Sequence, residues 1–184
     1  MKFTPQSIPD VVMISPTIHS DNRGYFAETY RQNLLDAFIG YKVNFVQDNE
    51  SKSSKGVLRG LHYQIPPLAQ SKLVRVIEGS VLDVAVDIRK SSPTFGQYVA
   101  IELSSDNKRQ LFIPRGFAHG FLVLSKSAVF SYKVDNFYSP DHERGVIYND
   151  NQLAIDWLMN SNELKLSVKD LSYSPLSLND DLFD

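Results

Sequence analysis

The chain has no cysteine. That excludes disulfides and thiolate metal sites and suits a reducing compartment, so a cytoplasmic protein is expected. It also lacks an excess of charge of either sign. Its 19 basic and 21 acidic residues leave a net charge of −2, with no basic block, and a nucleic-acid partner is therefore not expected. An anionic ligand would have to be met by a local cluster of cations. Long apolar runs are missing too. The stretch up to Ile14 carries one positive charge and no apolar run beyond four residues, too short for a signal-peptide core. Nothing approaches the about 20 apolar residues of a membrane span. What is present, 42% hydrophobic and 22% charged residues over 184 positions, is the composition of a globular protein with a real core. With no internal repeat or low-complexity linker, one domain over residues 1–184 is expected.

From Val57 to about Asp135, short β-rich runs alternate with turn signals: Leu73–Ile77, Val81–Ile88, Gln97–Leu103, Gln110–Ile113, Gly120–Leu124 and Ala128–Asp135. This spacing, with no long helix between, predicts an all-β antiparallel sandwich or barrel. Parity sorts the faces. Leu82, Val84, Val86 and Ile88 share one side of their strand and are expected to pack, while Val81, Asp83, Ala85 and Asp87 share a side marked by carboxylates. Tyr132 falls on the apolar side of its strand with Ala128, Phe130 and Val134. One helix is expected over Arg31–Ile39, stopped by Gly40. Short helices are expected near Leu153–Trp157 and Leu164–Lys169.

The densest chemistry lies in Gly56–Gly79, where Arg59, His62, Gln64 and Lys72 crowd a segment that otherwise reads as β-structure. Inward-facing groups of this kind cost stability unless partnered, so function is the expected reason for them. Arg59 and His62 are three residues apart and would face opposite sides of a regular strand. A bulge near Gly60 would let them share a side.

Two segments, Gly60-Leu-His-Tyr-Gln64 through Lys72 to Gly79 and Pro114-Arg-Gly-Phe-Ala-His119, resemble the paired motifs of the cupin superfamily of small β-barrels. In a metal-binding cupin the first motif carries His-x-His and a Glu with six residues between it and a Gly. Here the second His is Gln64 and the Glu position is Lys72. An ammonium cannot replace a metal carboxylate and an amide is a poor replacement for imidazole, so the metal site reads as dismantled, with only His62 and His119 left. Neither metal nor cofactor is expected.

Within the cupins the chain resembles the dTDP-4-dehydrorhamnose 3,5-epimerases. The resemblance runs through Asp21-Asn-Arg-Gly-Tyr-Phe-Ala-Glu28, Gln47-Asp-Asn-Glu-Ser51, Gly56–Gln64, Ala69–Arg75, Asp83–Arg89, Ser92–Gly96, Ile113–Phe121, Tyr132-Lys133, Tyr138 and Lys169-Asp170. It implies a jelly-roll barrel with few short helices, a homodimer, and dTDP-4-dehydro-6-deoxy-D-glucose as substrate. The protons at C3 and C5 of that sugar are acidified by the C4 ketone, and stereoinversion needs a base on one face, an acid on the other and a positive group at the enolate oxygen. The resemblance assigns these roles to His62, oriented by Asp170, to Tyr132 and to Lys72. It further implies contacts from Arg23, Phe26, Glu28, Gln47, Asp48, Asn49, Arg59, His119, Tyr138, Glu143 and Lys169, with Tyr138 stacking on the thymine. Without it, Tyr132 would read as a core tyrosine and Arg23 with Glu28 as a surface pair.

Three rivals stay open on the sequence. They are an enzyme that inverts only C3 or only C5, a non-catalytic nucleotide-sugar-binding cupin, and a metal-dependent cupin dioxygenase. The chain departs from the resemblance at Asn151 and Leu158, where prolines are expected, and this bears on the path of the tail.

Overall fold

Alternation of inward and outward side chains along short strands builds two facing antiparallel sheets, seen in a computed structural model that describes residues 1–184. The first sheet has strand order β1 (Lys2–Pro5), β2 (Val12–Ser15), β10 (Gln110–Ile113), β7 (Lys72–Glu78), β12 (Ser127–Val134) and β5 (Gln47–Ser54). The second runs β13 (Glu143–Gly145), β6 (Leu58–Gln64), β11 (Phe117–Val123), β8 (Ser80–Asp87) and β9 (Tyr98–Ser104). A separate hairpin, β3 (Ile18–Asp21) with β4 (Gly24–Ala27), pairs with neither sheet. Apart from β1–β2 and β8–β9, neighbours in each sheet are not consecutive in the chain, the crossing pattern of a cupin-type jelly roll.

Three apolar layers hold the sandwich. Between the sheets, Val74, Val76, Ala128 and Phe130 meet Val81, Ala85 and Phe121. Outside the second sheet, Leu82, Val84, Val86 and Ile88 are covered by Val146, Leu153, Trp157 and Leu176 of the C-terminal segment. Outside the first, Val12, Ile14, Leu73 and Phe112 lie beneath Leu35 and Val43. Leu35 belongs to α1 (Gln32–Ile39), which ends at Gly40 in the left-handed region (φ 84°), as its sequence predicts.

The structure corrects two expectations. On β8 packing is not confined to the one face expected to pack: both faces are buried, and the face bearing Asp83 and Asp87 points between the sheets. Parity separated the faces, but the tail that covers the other one lies far along the chain and leaves no mark in the strand's own pattern. No helix forms over Leu153–Trp157 either. Asp150 holds that stretch as turns, its Oδ1 accepting from the backbone N–H of Gln152 (2.7 Å) and Leu153 (3.0 Å), and its Oδ2 from Leu176 (2.6 Å). The expected helix over Leu164–Lys169 is shifted to α2 (Val168–Leu171). Leu158 adopts φ 57°, a backbone that proline, fixed near −65°, cannot take. The departure from proline there accompanies a local path of its own.

Candidate active site

A register shift on β6 makes the site possible. His62 pairs with His119 and Arg59 with Phe121, so three steps on β6 match two on β11. The extra residue is a bulge at Gly60–Leu61. It sends Leu58 and Leu61 to the outer apolar layer and turns both Arg59 and His62 inward. Gly60 has φ 129°, and a Cβ there would lie 2.5 Å from Gly120 Cα and 2.9 Å from the His119 carbonyl oxygen, so glycine is required twice over.

The inward residues of both sheets open onto one cleft of about 630 Å³. Arg59 and His62 come from β6 and His119 from β11. Lys72, Tyr132 and Asn49 come from the facing sheet, and Lys169 and Asp170 from α2. A smaller recess joins it, where Tyr138, Glu143 and Gln64 adjoin His62, Lys72 and Tyr132.

His62 Nε2 lies 2.5 Å from Asp170 Oδ1. Asp170 is 4% exposed, and Ser167 Oγ donates to its other oxygen at 2.7 Å. Burial alone would raise the Asp170 pKa, but the bonds from His62 and Ser167 outweigh it and hold the carboxyl below its ordinary range. An ionised Asp170 fixes the proton of His62 on Nε2 and leaves Nδ1 basic. On the facing sheet, burial pushes the Tyr132 phenol above its ordinary pKa, with Arg59 opposing and Glu143 adding to the shift. It therefore keeps a proton to give.

Lys72 is buried, and its ammonium makes one hydrogen bond, to the His62 carbonyl at 3.3 Å. Desolvation lowers its pKa to about 8, against the attraction of Asp83 and Glu143. Gln64, where a metal-binding cupin has its second His, is committed elsewhere. It donates to the carbonyls of Leu68 (2.6 Å) and Phe137 (3.2 Å) and accepts from the Ser139 N–H (2.8 Å), stapling two loops. Of that metal donor set only the two imidazoles remain, beside an ammonium that repels a cation.

At the mouth, Tyr138 donates to Glu143 at 2.6 Å and Lys169 pairs with the same carboxylate. Burial would raise the Glu143 pKa, but Lys169 and Tyr138 hold it low. Gln47 Oε1 accepts from the Tyr138 N–H at 3.1 Å, and Gln47 Nε2 donates to Asn49 at 2.8 Å.

The family model described as dTDP-4-dehydrorhamnose 3,5-epimerase matches residues 5–177. The chain belongs to that family. It is 55% identical over 172 residues to the dTDP-4-dehydrorhamnose 3,5-epimerase of Shigella flexneri, covering 94% of each chain. The crystal structure of the Elizabethkingia anophelis dTDP-4-dehydrorhamnose 3,5-epimerase is similar at a TM-score of 0.93 and 50% identity, over 96% of this chain and 97% of that one. That of the Legionella pneumophila dTDP-6-deoxy-D-glucose-3,5-epimerase, in complex with dTDP-4-keto-L-rhamnose, is similar at 0.93 and 49% identity, over 97% and 94%.

Within this epimerase-family chain four expected residues stand apart from the cleft. Arg23 and Phe26 lie on the β3–β4 hairpin, where Phe26 is 70% exposed and Arg23 pairs at 2.6 Å with Asp21 rather than with Glu28. Glu28 and Asp48 border a hollow on the outer face of the first sheet near Arg75, and Asp48 pairs with Lys133 at 2.8 Å.

Sequence reasoning missed three groups near the dyad. Ser167 supports Asp170 as described above, and an N-cap serine before a short polar helix was a legible signal. Tyr173 sets its ring edge-on to His62, with centroids 5.7 Å apart. It lies over Gly145, the cross-strand partner of His62, where any Cβ would collide with the Tyr173 ring. No local signal marks Tyr173. Asp83, which accepts from His119 Nε2 at 3.0 Å, was read as part of a carboxylate face without a partner being assigned.

Proposed function

We propose that this chain is the isomerase that inverts C3 and C5 of dTDP-4-dehydro-6-deoxy-D-glucose, yielding dTDP-4-dehydro-L-rhamnose for dTDP-L-rhamnose synthesis. One observation carries the chemistry. A carboxylate-supported imidazole on one sheet and a proton-bearing phenol on the other open onto one cleft beside a buried ammonium.

In this reading His62 removes the proton beside the ketone, its electron pair passing to the C4 oxygen as an enolate. Asp170 stabilises the imidazolium that forms. Lys72 stabilises the enolate oxygen, at which preorganised charge acts most strongly in a water-poor site. Tyr132 protonates the carbon from the opposite face. One proton leaves and one enters at each carbon, so both exchange with solvent. Arg59 and Lys169 meet the anionic nucleotide portion with Asn49 and Gln47, His119 is a further ligand contact, and Tyr138, held by Glu143, offers its ring to the thymine.

The active species is taken to be a cytoplasmic homodimer. A hairpin that pairs with no strand of its own chain, with Tyr25 60% and Phe26 70% exposed, is suited to cover a second copy. In that arrangement Arg23, Phe26 and Glu28 complete the partner's cleft.

NMR of the substrate incubated with the protein in deuterated water tests the reading. Exchange at both C3 and C5, with L-rhamnose product after coupling to a rhamnose-forming reductase, is expected. Exchange at a single carbon, or none with binding intact, would overturn it.

A further inference from the structure

Asp83 lies in the middle of β8 with no exposed surface, between Val81 and Ala85 on the same inward face. One carboxylate oxygen accepts from His119 Nε2 at 3.0 Å, and the other, Oδ1, has no hydrogen-bond partner. Asp83 does not line the cleft, so it touches no ligand there. A neutral acceptor would satisfy His119 at far lower desolvation cost than a carboxylate with one oxygen orphaned among apolar side chains. A negative charge at this position is accounted for only if something buried needs it.

Lys72 is that group. It is buried, has one long hydrogen bond to a backbone carbonyl and no ion-pair partner. The groups around it are His62 and Arg59 on β6, His119 on β11, Tyr132 on β12, Glu143 on β13 and Asp83 on β8. Three of these are cationic or can become so, and Tyr132 keeps its proton. Glu143 is engaged by Lys169 and Tyr138. Asp83 is left as the carboxylate whose field is free to act on Lys72.

We propose that Asp83 is a positioning residue for both buried basic groups of the cleft, fixing His119 through Nε2 and supplying the negative charge that keeps Lys72 an ammonium. This rests on the reading of Lys72 as the enolate-stabilising group. Burial already brings Lys72 down to about 8, and Asp83 is the first of the two carboxylates opposing that fall. Burial pushes His119 down as well, again against Asp83. The protonated lysine is the active form, so kcat/KM falls as pH rises through the Lys72 pKa.

Asp83→Asn separates charge from shape, because the amide oxygen can still accept from His119 Nε2–H. The alkaline limb of kcat/KM should move to lower pH by about one unit or more, which is about fivefold or more lower activity at pH 8 and about tenfold or more well above it. The loss should fall on kcat, with KM nearly unchanged. The Lys72 Nζ resonance of isotopically labelled protein, followed without substrate, should titrate lower by the same amount, and Asp83→Glu should restore both.

A limb and an Nζ titration that stay in place overturn the proposal. A moved Nζ titration with an unmoved limb upholds the coupling and overturns the role given to Lys72. Should Asp83→Asn fail to fold, the unsubstituted protein decides. Its Asp83 carboxyl carbon must shift as Lys72 loses its proton near pH 8, and a carbon blind to that titration overturns the coupling.

Discussion

His62 and Tyr132 divide the proposed chemistry between two sheets, and that division makes single substitutions diagnostic. His62→Ala removes the base but no phosphate contact. Turnover should fall by about 10²-fold or more while dTDP affinity, measured by calorimetry, stays close to that of the unsubstituted protein. Retained turnover would sink the assignment. Tyr132→Phe keeps the ring and loses only the proton donor. Deuterium exchange beside the ketone should persist while net epimerisation drops by about 10²-fold, and equal losses in the two assays would mark a structural tyrosine. Gln64 marks the limit of motif reading at this scale. The motif showed what it had ceased to be, a metal ligand, but its three bonds to Leu68, Phe137 and Ser139 depend on loops that meet only in the fold.

The bulge in β6 is the element on which the site depends. Without the extra residue at Gly60–Leu61, Arg59 and His62 would face opposite layers, and one of them would enter the apolar packing around Leu58 and Leu61. Gly60→Ala places a methyl against the backbone of Gly120 and His119 in a left-handed conformation. A cost of about 2–5 kcal/mol is expected, lowering Tm by roughly 5–15 °C, and whatever folds should have lost at least about tenfold in kcat/KM. A variant with unchanged melting and turnover would refute the geometric argument. The tension between Arg59 and His62 was legible in their spacing, and so was its remedy at a glycine. β5 was not legible. Its residues Gln47–Ser54 are all polar, because Asn49 and Ser51 face a cleft and Asp48 and Lys52 face outward, and a periodicity sought in hydrophobic residues passes over such a strand.

At the level of the whole molecule, the cleft of one chain lacks Arg23 and Phe26, which its own hairpin holds away from it, and Glu28, which borders the hollow on the outer face of the first sheet. If a second copy supplies them, two inactive proteins complement each other. Arg23→Glu and His62→Ala, each inactive alone, should on mixing and subunit exchange regain about a quarter of the native activity, because a heterodimer carries one site with both changes and one with neither. Failure to recover any activity after proven exchange would refute the shared site. The same scale explains why β8 is buried on both faces. Its outer face is closed by Val146, Leu153, Trp157 and Leu176, a cover held in place by the three backbone bonds of Asp150.

The sequence by itself determined the strands of the sandwich between Val57 and Asp135, the helix stopped at Gly40 and the family, because periodicity, glycine conformation and motif spacing are local properties; the roles proposed for His62, Lys72, Tyr132 and Asp170 came with the family resemblance. Tertiary structure decided the rest. Asp170 reaches His62 across 108 positions, and Asp83 comes to lie beneath His119 through cross-strand register. Burial, which brings Lys72 to about 8 and keeps the proton on Tyr132, depends on how much of the chain closes over a group, and no residue's neighbours in sequence carry that information.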